Sequence, residues 1–192
     1  MEYAHVISEE AKRLSSLSGK LLELITLGST NLTMEPVSLR TVADEVSLSL
    51  KPLMAQSQME FHAYCPDVRI DMDRELFKSL LYNLLDNGRK ASEQGGRLDL
   101  AARAEGEVVS ILIRDYGRGI PREEIDKITQ PFYMVDKSRA RRAGGAGLGL
   151  ALCQEIVKVH GGTMDIQSVL GHGTLICLTF PVSQARGGDL HA

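Results

Sequence analysis

The 192-residue chain is 43% hydrophobic and 24% charged, and its formal net charge of −3 gives no support to a nucleic-acid partner recognised through a global positive field. No apolar run reaches the length of a membrane span and the first residues lack the pattern of a secretion signal, so a soluble, cytoplasmic chain is expected. Its three cysteines, Cys65, Cys153 and Cys177, are widely spaced and without a CxxC pair, which argues against a disulfide framework and a zinc site.

From Tyr3 to Leu27 the residues Ile7, Leu14 and Leu21 recur every seven positions, and Leu17 and Leu24 follow the latter two by three. That heptad pattern predicts a helix which either pairs with a second helix or docks on its own domain. Pairing is the favoured reading, although Glu10 interrupts the second register. The turn-rich stretch Gly28 to Ser38 marks a boundary. Val42, Val46, Leu50 and Leu53 predict a helix that Pro52 strains near its end, and the stretches around Phe61 and Ile70 read as short strands. Asp73 can cap the next helix, whose apolar face is Leu76, Phe77, Leu80, Leu81, Leu84 and Leu85. Alternation at Leu98, Leu100 and Ala102, then at Val109, Ile111 and Ile113, predicts an antiparallel pair. A second pair is expected around Met164 to Ser168 and Thr174 to Phe180, after a helix anchored by Leu148, Leu152, Ile156 and Val159 and stopped by Gly161 and Gly162. The order implies an α+β layer of mostly antiparallel sheet against helices.

Three stretches carry candidate chemistry. In "NLLDNGRK", Asn83, Asn87 and Lys90 are four and three residues apart, so they line one edge of the leucine-rich helix. One asparagine there would be an ordinary solvated border; two poor helix formers on one line suggest amide oxygens offered to magnesium, with Lys90 neutralising phosphate. In "RDYGRGIP", Asp115 closes a strand before Gly117 and Gly119. Such residues suit a plain turn, yet a carboxylate at a strand end can also accept from an exocyclic amine while the glycines leave room for a flat base. The stretch "RRAGGAGLGLAL" is neither a Walker loop nor a dinucleotide fingerprint, since no Lys-Ser/Thr follows it and no strand precedes it. Its glycines expose N–H groups at a helix start, where anions are favoured. The basic segment before it, Asp136 to Ala146, is expected to be mobile because it offers few buried contacts.

In this order the elements resemble the ATP-binding domain of sensor histidine kinases, in the superfamily shared with DNA gyrase, MutL and chaperones of the 90-kDa heat-shock class. "NLLDN" looks like the N box, "DYGRG" the first glycine box, "PFYMVDKSR" the F box and "GGAGLGLAL" the second glycine box. The resemblance implies a two-layer α/β sandwich of the Bergerat type over residues 37–182, preceded at 1–32 by the second helix of a dimerisation domain and followed at 183–192 by a polar tail. It implies that Asn87, with Asn83 beside it, holds Mg2+; that Asn83, Asn87 and Lys90 carry the catalytic chemistry; and that Asp115 reads adenine. Gly117, Gly119 and Ile120 would flank the base, Tyr133 and Arg139 would approach the nucleotide, Gly145, Gly147, Leu148 and Gly149 would offer the lid, and Thr174 would lie near adenine. Implied partners are ATP, a histidine-bearing dimerisation domain, a response regulator and a second copy of the full-length kinase, with no nucleic acid.

Hydrolysing members of the superfamily carry a glutamate four residues before the metal asparagine, where this chain has Asn83. Transfer is therefore expected over hydrolysis. A serine-directed kinase of the superfamily would usually lack the leading helix, and a nucleotide-responsive interaction module without transfer is the alternative reading. Gly88 stands where the resembling family usually has alanine, which weakens a helix by roughly 1 kcal/mol. Met134 stands where many members have arginine, so Arg139, Arg141 or Arg142 would supply that phosphate contact. None of His5, His62, His160, His172 and His191 lies in the pattern of a phospho-accepting histidine, and all five are read as structural or exposed. The chain looks like the C-terminal part of a longer kinase.

Overall fold

A computed structural model describes residues 2–27, 32–135 and 147–183. Helix α1, Glu2–Thr26, precedes strand β1, Glu35–Ser38, and helix α2, Leu39–Gln56. Strands β2, Glu60–Tyr64, and β3, Arg69–Met72, lead into helix α3, Arg74–Ala91. Strands β4, Arg97–Glu105, and β5, Val108–Asp115, form a hairpin, followed by a 3-10 turn at Arg122–Glu124. Helix α4, Gly149–Val159, leads into the hairpin of β6, Thr163–Val169, and β7, Gly173–Pro181. The centre of the expected lid, including Arg139 and Gly145, lies outside the described residues.

Strand order in the five-stranded sheet is β2-β4-β5-β7-β6, with β2 and β4 parallel and the other neighbours antiparallel. Period-two alternation puts Leu98, Leu100, Val109, Ile111, Leu178 and Phe180 on the buried face, under α3 and α4. The result is the expected two-layer sandwich. Strand β1 falls inside the stretch read from sequence as a boundary, and it pairs antiparallel with β3, Val37 opposite Ile70. That pairing is non-local, and nothing in the four residues of β1 announces it.

Helix starts follow their caps. Ser38 accepts from the Thr41 N–H at 3.3 Å to begin α2, and Asp73 accepts from the Leu76 N–H at 3.3 Å to begin α3. Pro52 sits inside α2 one turn before its end, as expected, and the carbonyl it cannot serve belongs to Leu48, a residue on the exposed side of the helix. The C-terminal half of α1 docks on its own domain, with Leu24 packed against the core and Leu27 buried, whereas Leu14, Leu22 and Ile25 remain exposed. All three cysteines are free thiols, and burial pushes Cys153 up to about 12.

His160 ties the two central helices together. Its Nε2 accepts from the Asp73 N–H at 2.9 Å while its Nδ1 donates to the Ile156 carbonyl at 2.7 Å, which fixes the tautomer. Its ring also meets Phe77 edge-on, with centroids 5.7 Å apart, and Phe77 packs on Phe180. Replacing His160 leaves a donor at the start of α3 without its acceptor, which costs about 1–3 kcal/mol. His160→Ala is therefore expected to lower the urea midpoint with an unchanged m value; an unaltered midpoint would show that the contact contributes nothing.

Candidate functional site

A cavity of about 550 Å³ opens between α3, the β5 and β7 ends of the sheet, and the chain leading into α4. Its inner part is built by strand register. Ile113 pairs with Ile176 and Asp115 with Thr174 across β5 and β7, while Ile166 of β6 pairs with Ile176, and all five line the cavity. With Ile120 and Ile128, the isoleucines Ile113, Ile166 and Ile176 line an apolar slot beside the Asp115 carboxylate.

Asp115 is 6% exposed, and among the described residues it is the one buried acidic side chain. Its Oδ1 accepts from the Gly117 N–H at 3.0 Å and the Thr174 N–H at 3.3 Å; Oδ2 receives neither. Burial pushes its carboxyl above the usual range, and those two N–H groups, the Thr174 hydroxyl and Arg114 only partly offset it. A buried acceptor in an apolar slot selects a ligand that brings a donor.

The glycines around it have structural reasons. Gly117 lies outside the cavity wall, where a Cβ would stand 2.4 Å from the Ala91 carbonyl oxygen, so its bare backbone lets the turn pass the end of α3. Gly119 does line the cavity, at φ +66°, and a Cβ there would meet the Val169 carbonyl oxygen at 2.0 Å. Ser168, which sequence reasoning missed, joins the two sides. Its hydroxyl accepts from the Ile120 N–H at 2.8 Å, donates to the Gly173 carbonyl at 2.9 Å and lies 3.0 Å from the Thr174 hydroxyl. The signal was a serine on an otherwise mixed strand, and only the fold shows what it meets.

The outer part of the cavity is polar. Asn83 and Asn87 of α3 face the start of α4, where a Cβ on Gly149 would lie 3.6 Å from each amide. Asn83 is buried, its Nδ2 donating to the Ser79 carbonyl at 2.8 Å and its Oδ1 accepting from Lys20 Nζ at 2.6 Å. Lys90 Nζ meets Asp86 Oδ2 at 2.8 Å, and Arg89 holds the other oxygen of that carboxylate at 2.8 Å. Burial of Asp86 favours its neutral form, but the hydrogen bonds and charges of Lys90 and Arg89 outweigh it and hold the carboxyl low. Lys20 is lowered by burial first and by the neighbouring Lys90 second. Gly147, Leu148 and Gly149 line the cavity too, and α4 begins at Leu148 with no side-chain cap. Its free N–H groups and dipole therefore favour an anion there.

Opposite α4, Tyr133 lines the cavity and its hydroxyl donates to Glu124. Phe132, at φ +65° and 55% exposed, donates its N–H to the Gly147 carbonyl at 2.8 Å. That bond joins the turn at Phe132 to the chain entering α4. Of the other candidates, Ile120, Gly119 and Thr174 are brought together at the apolar end and Asn83, Asn87, Lys90, Gly147, Leu148 and Gly149 at the polar end.

Residues 72–184 match the family described as histidine kinase-, DNA gyrase B- and HSP90-like ATPase. The chain belongs to that family. Within it, the sensor histidine kinase WalK of Bacillus subtilis is 30% identical over 189 residues, which cover 96% of this chain and 31% of that protein. This chain thus spans about a third of that relative's length. Full-length ShkA in complex with AMPPNP shares the fold with a TM-score of 0.81 at 24% identity, over 96% of this chain and 39% of that one. ThkA in complex with the response regulator protein TrrA gives a TM-score of 0.76 at 22% identity, over 95% of this chain and 51% of that one. No described helix is long and apolar enough to cross a membrane.

Because Ser168 holds the Ile120 N–H, Ser168→Ala should lower stability by about 1–3 kcal/mol by leaving that donor unmet. A thermal midpoint equal to that of the parent chain would contradict the bridging role.

Proposed function

We propose that this chain is the ATP-binding catalytic part of a sensor histidine kinase, transferring the γ-phosphoryl group of Mg-ATP to a histidine carried on another segment. The observation that carries the reading is Asp115, a lone buried carboxylate at the end of an isoleucine slot, 6% exposed. Adenine fits that slot as a flat apolar ring whose exocyclic amine donates to the carboxylate. A guanine oxygen at the same place would be repelled by it.

Residues 37–182 then form the nucleotide domain, 1–32 belong to a dimerisation domain and 183–192 form a polar tail. The exposed row Leu14, Leu22 and Ile25 supports pairing of α1 with a second copy. A response regulator as downstream partner is supported by the fold shared with ThkA in its complex.

The triphosphate runs from the slot to the polar end. There the uncapped start of α4 receives phosphate oxygens, and Lys90, aimed by Asp86, offsets their charge. Arg139 and Gly145 would complete this lid. The residues also fit magnesium: Asn87 is half-buried at the cavity wall, and among the described residues its amide has no hydrogen-bond partner. No three His, Cys, Asp or Glu side chains converge among the described residues, so the ion would rest on Asn87, Asn83 and the nucleotide's own oxygens. It would supply neutralisation of triphosphate charge. Asn83 can abstract no proton, and its amide is already engaged by Ser79 and Lys20. Catalysis therefore consists of positioning and charge stabilisation, with the attacking group brought by the acceptor.

Asp115→Asn should weaken ATP binding about 10- to 100-fold, the worth of a hydrogen bond to a charged acceptor. In the parent, the adenine amine prefers the ionised carboxylate, so ATP affinity is full above the raised pKa of Asp115 and falls as pH drops through it. Calorimetric titrations across the acidic range check both, and a flat profile with unchanged affinity in the variant would remove Asp115 from base recognition. Transfer itself is read with labelled ATP and a separately supplied histidine-bearing domain. Acid-labile phosphate on that domain, lost in Asn87→Ala, is expected; binding without transfer would favour the interaction-module reading, and phosphate release without acceptor an ATPase.

A further inference from the structure

Helix α1 contributes Lys20 and Glu23 to the cavity wall. The bond from Lys20 Nζ to Asn83 Oδ1, at 2.6 Å, joins residues 63 apart in the chain and places an ammonium group at the polar end of the site. The orientation of the Asn83 amide is fixed from behind, because its Nδ2 donates to both the carbonyl and the hydroxyl of Ser79, at 2.8 and 3.3 Å. Oδ1 must then face α1. Gly149 stands beside the same group, where a Cβ would lie 3.7 Å from Lys20 Nζ, so the ammonium also sits at the start of α4.

We propose that Lys20 is a tethered cation that competes with the metal–triphosphate for Asn83, so that loading the site breaks the Lys20–Asn83 bond and loosens α1 from α3. The inference rests on the nucleotide reading above. A metal ion on that oxygen would sit at about 2.0–2.1 Å, which puts it within about 5 Å of the ammonium, and like charges that close in a half-buried site repel. Among the described residues, Lys20 makes the one hydrogen bond between α1 and the cavity wall, and Leu24 with Leu27 just past the helix packs its C-terminal end against the core. Coupling of this kind is reciprocal: any movement that lifts α1 away raises affinity for Mg-ATP, and Mg-ATP favours the lifted helix. A signal carried along α1 would thereby set nucleotide loading without touching the base slot.

The test is calorimetric titration of the whole chain and of Lys20→Met, which keeps the aliphatic stem, with ATP plus magnesium and with ATP plus a chelator. Amide exchange over residues 17–27 is followed in parallel. Lys20→Met should bind Mg-ATP about three- to tenfold more tightly, the release of one hydrogen bond, with no such gain for metal-free ATP. In the parent, Mg-ATP should speed exchange in α1, and in the variant exchange should be fast from the start. Lys20→Gln serves as a second uncharged variant should the methionine perturb folding. Weaker Mg-ATP binding by the variants would make Lys20 a phosphate ligand and overturn the proposal, as would an equal gain without magnesium or α1 protection that Mg-ATP leaves unchanged. No binding by the parent would overturn both readings; normal parental binding with variants that match it would overturn only this one.

Discussion

The buried carboxylate of Asp115 constrains everything around it. A charge that is 6% exposed at the end of a sheet must be met by donors, and the register of β5 against β7 brings the Thr174 N–H to it while the turn that follows brings the Gly117 N–H. Those demands fix where β7 begins and how tightly the turn after β5 folds back on α3, where the Arg118 N–H donates to the Ala91 carbonyl at 3.2 Å. The same register fills the adjoining positions with Ile113 and Ile176. One polar requirement and one apolar alternation thus produce a slot that is hydrophobic on its walls and acidic at its end.

The opposite end of the cavity obeys different physics. It is made by two helices that meet: the polar edge of α3, with Asn83 and Asn87 one turn apart, and the uncapped start of α4. Amide oxygens attract a cation, while free N–H groups and a helix dipole attract an anion, and the two stand a few ångströms from each other across Gly149. A metal-bound phosphate chain carries both charges. His160 holds the start of α3 to the end of α4 from the far side and Phe77 seats α3 on Phe180 of β7, so the site's geometry depends on the core beneath it.

Much of this was legible in the chain. Asp73 announces the start of α3, the leucines after it give its buried face, and alternation at Val109, Ile111 and Ile113 gives the strand that ends on Asp115. The asparagine line and the glycines before α4 were readable because helix periodicity and helix ends are local properties. What escaped was set by distance along the chain. Ser168 acquires its role only when the β6–β7 hairpin folds against the turn at Ile120, and β1 becomes a strand only because β3 is there to pair with. Gly117 resembled a glycine kept clear for a base, yet its bareness serves the end of α3. Lys20 sits in a heptad pattern that spoke of helix pairing, and nothing local shows that one turn of that helix reaches Asn83.

The central claim is that the isoleucine slot receives adenine against Asp115. It is tested most directly by methyl-labelling the isoleucines and recording nuclear Overhauser contacts to ATP at saturation. The account expects the adenine ring protons to contact the methyl groups of Ile113, Ile166 and Ile176, with those contacts weakened in Asp115→Asn. Saturating ATP that leaves these methyls without contact to the base would contradict it.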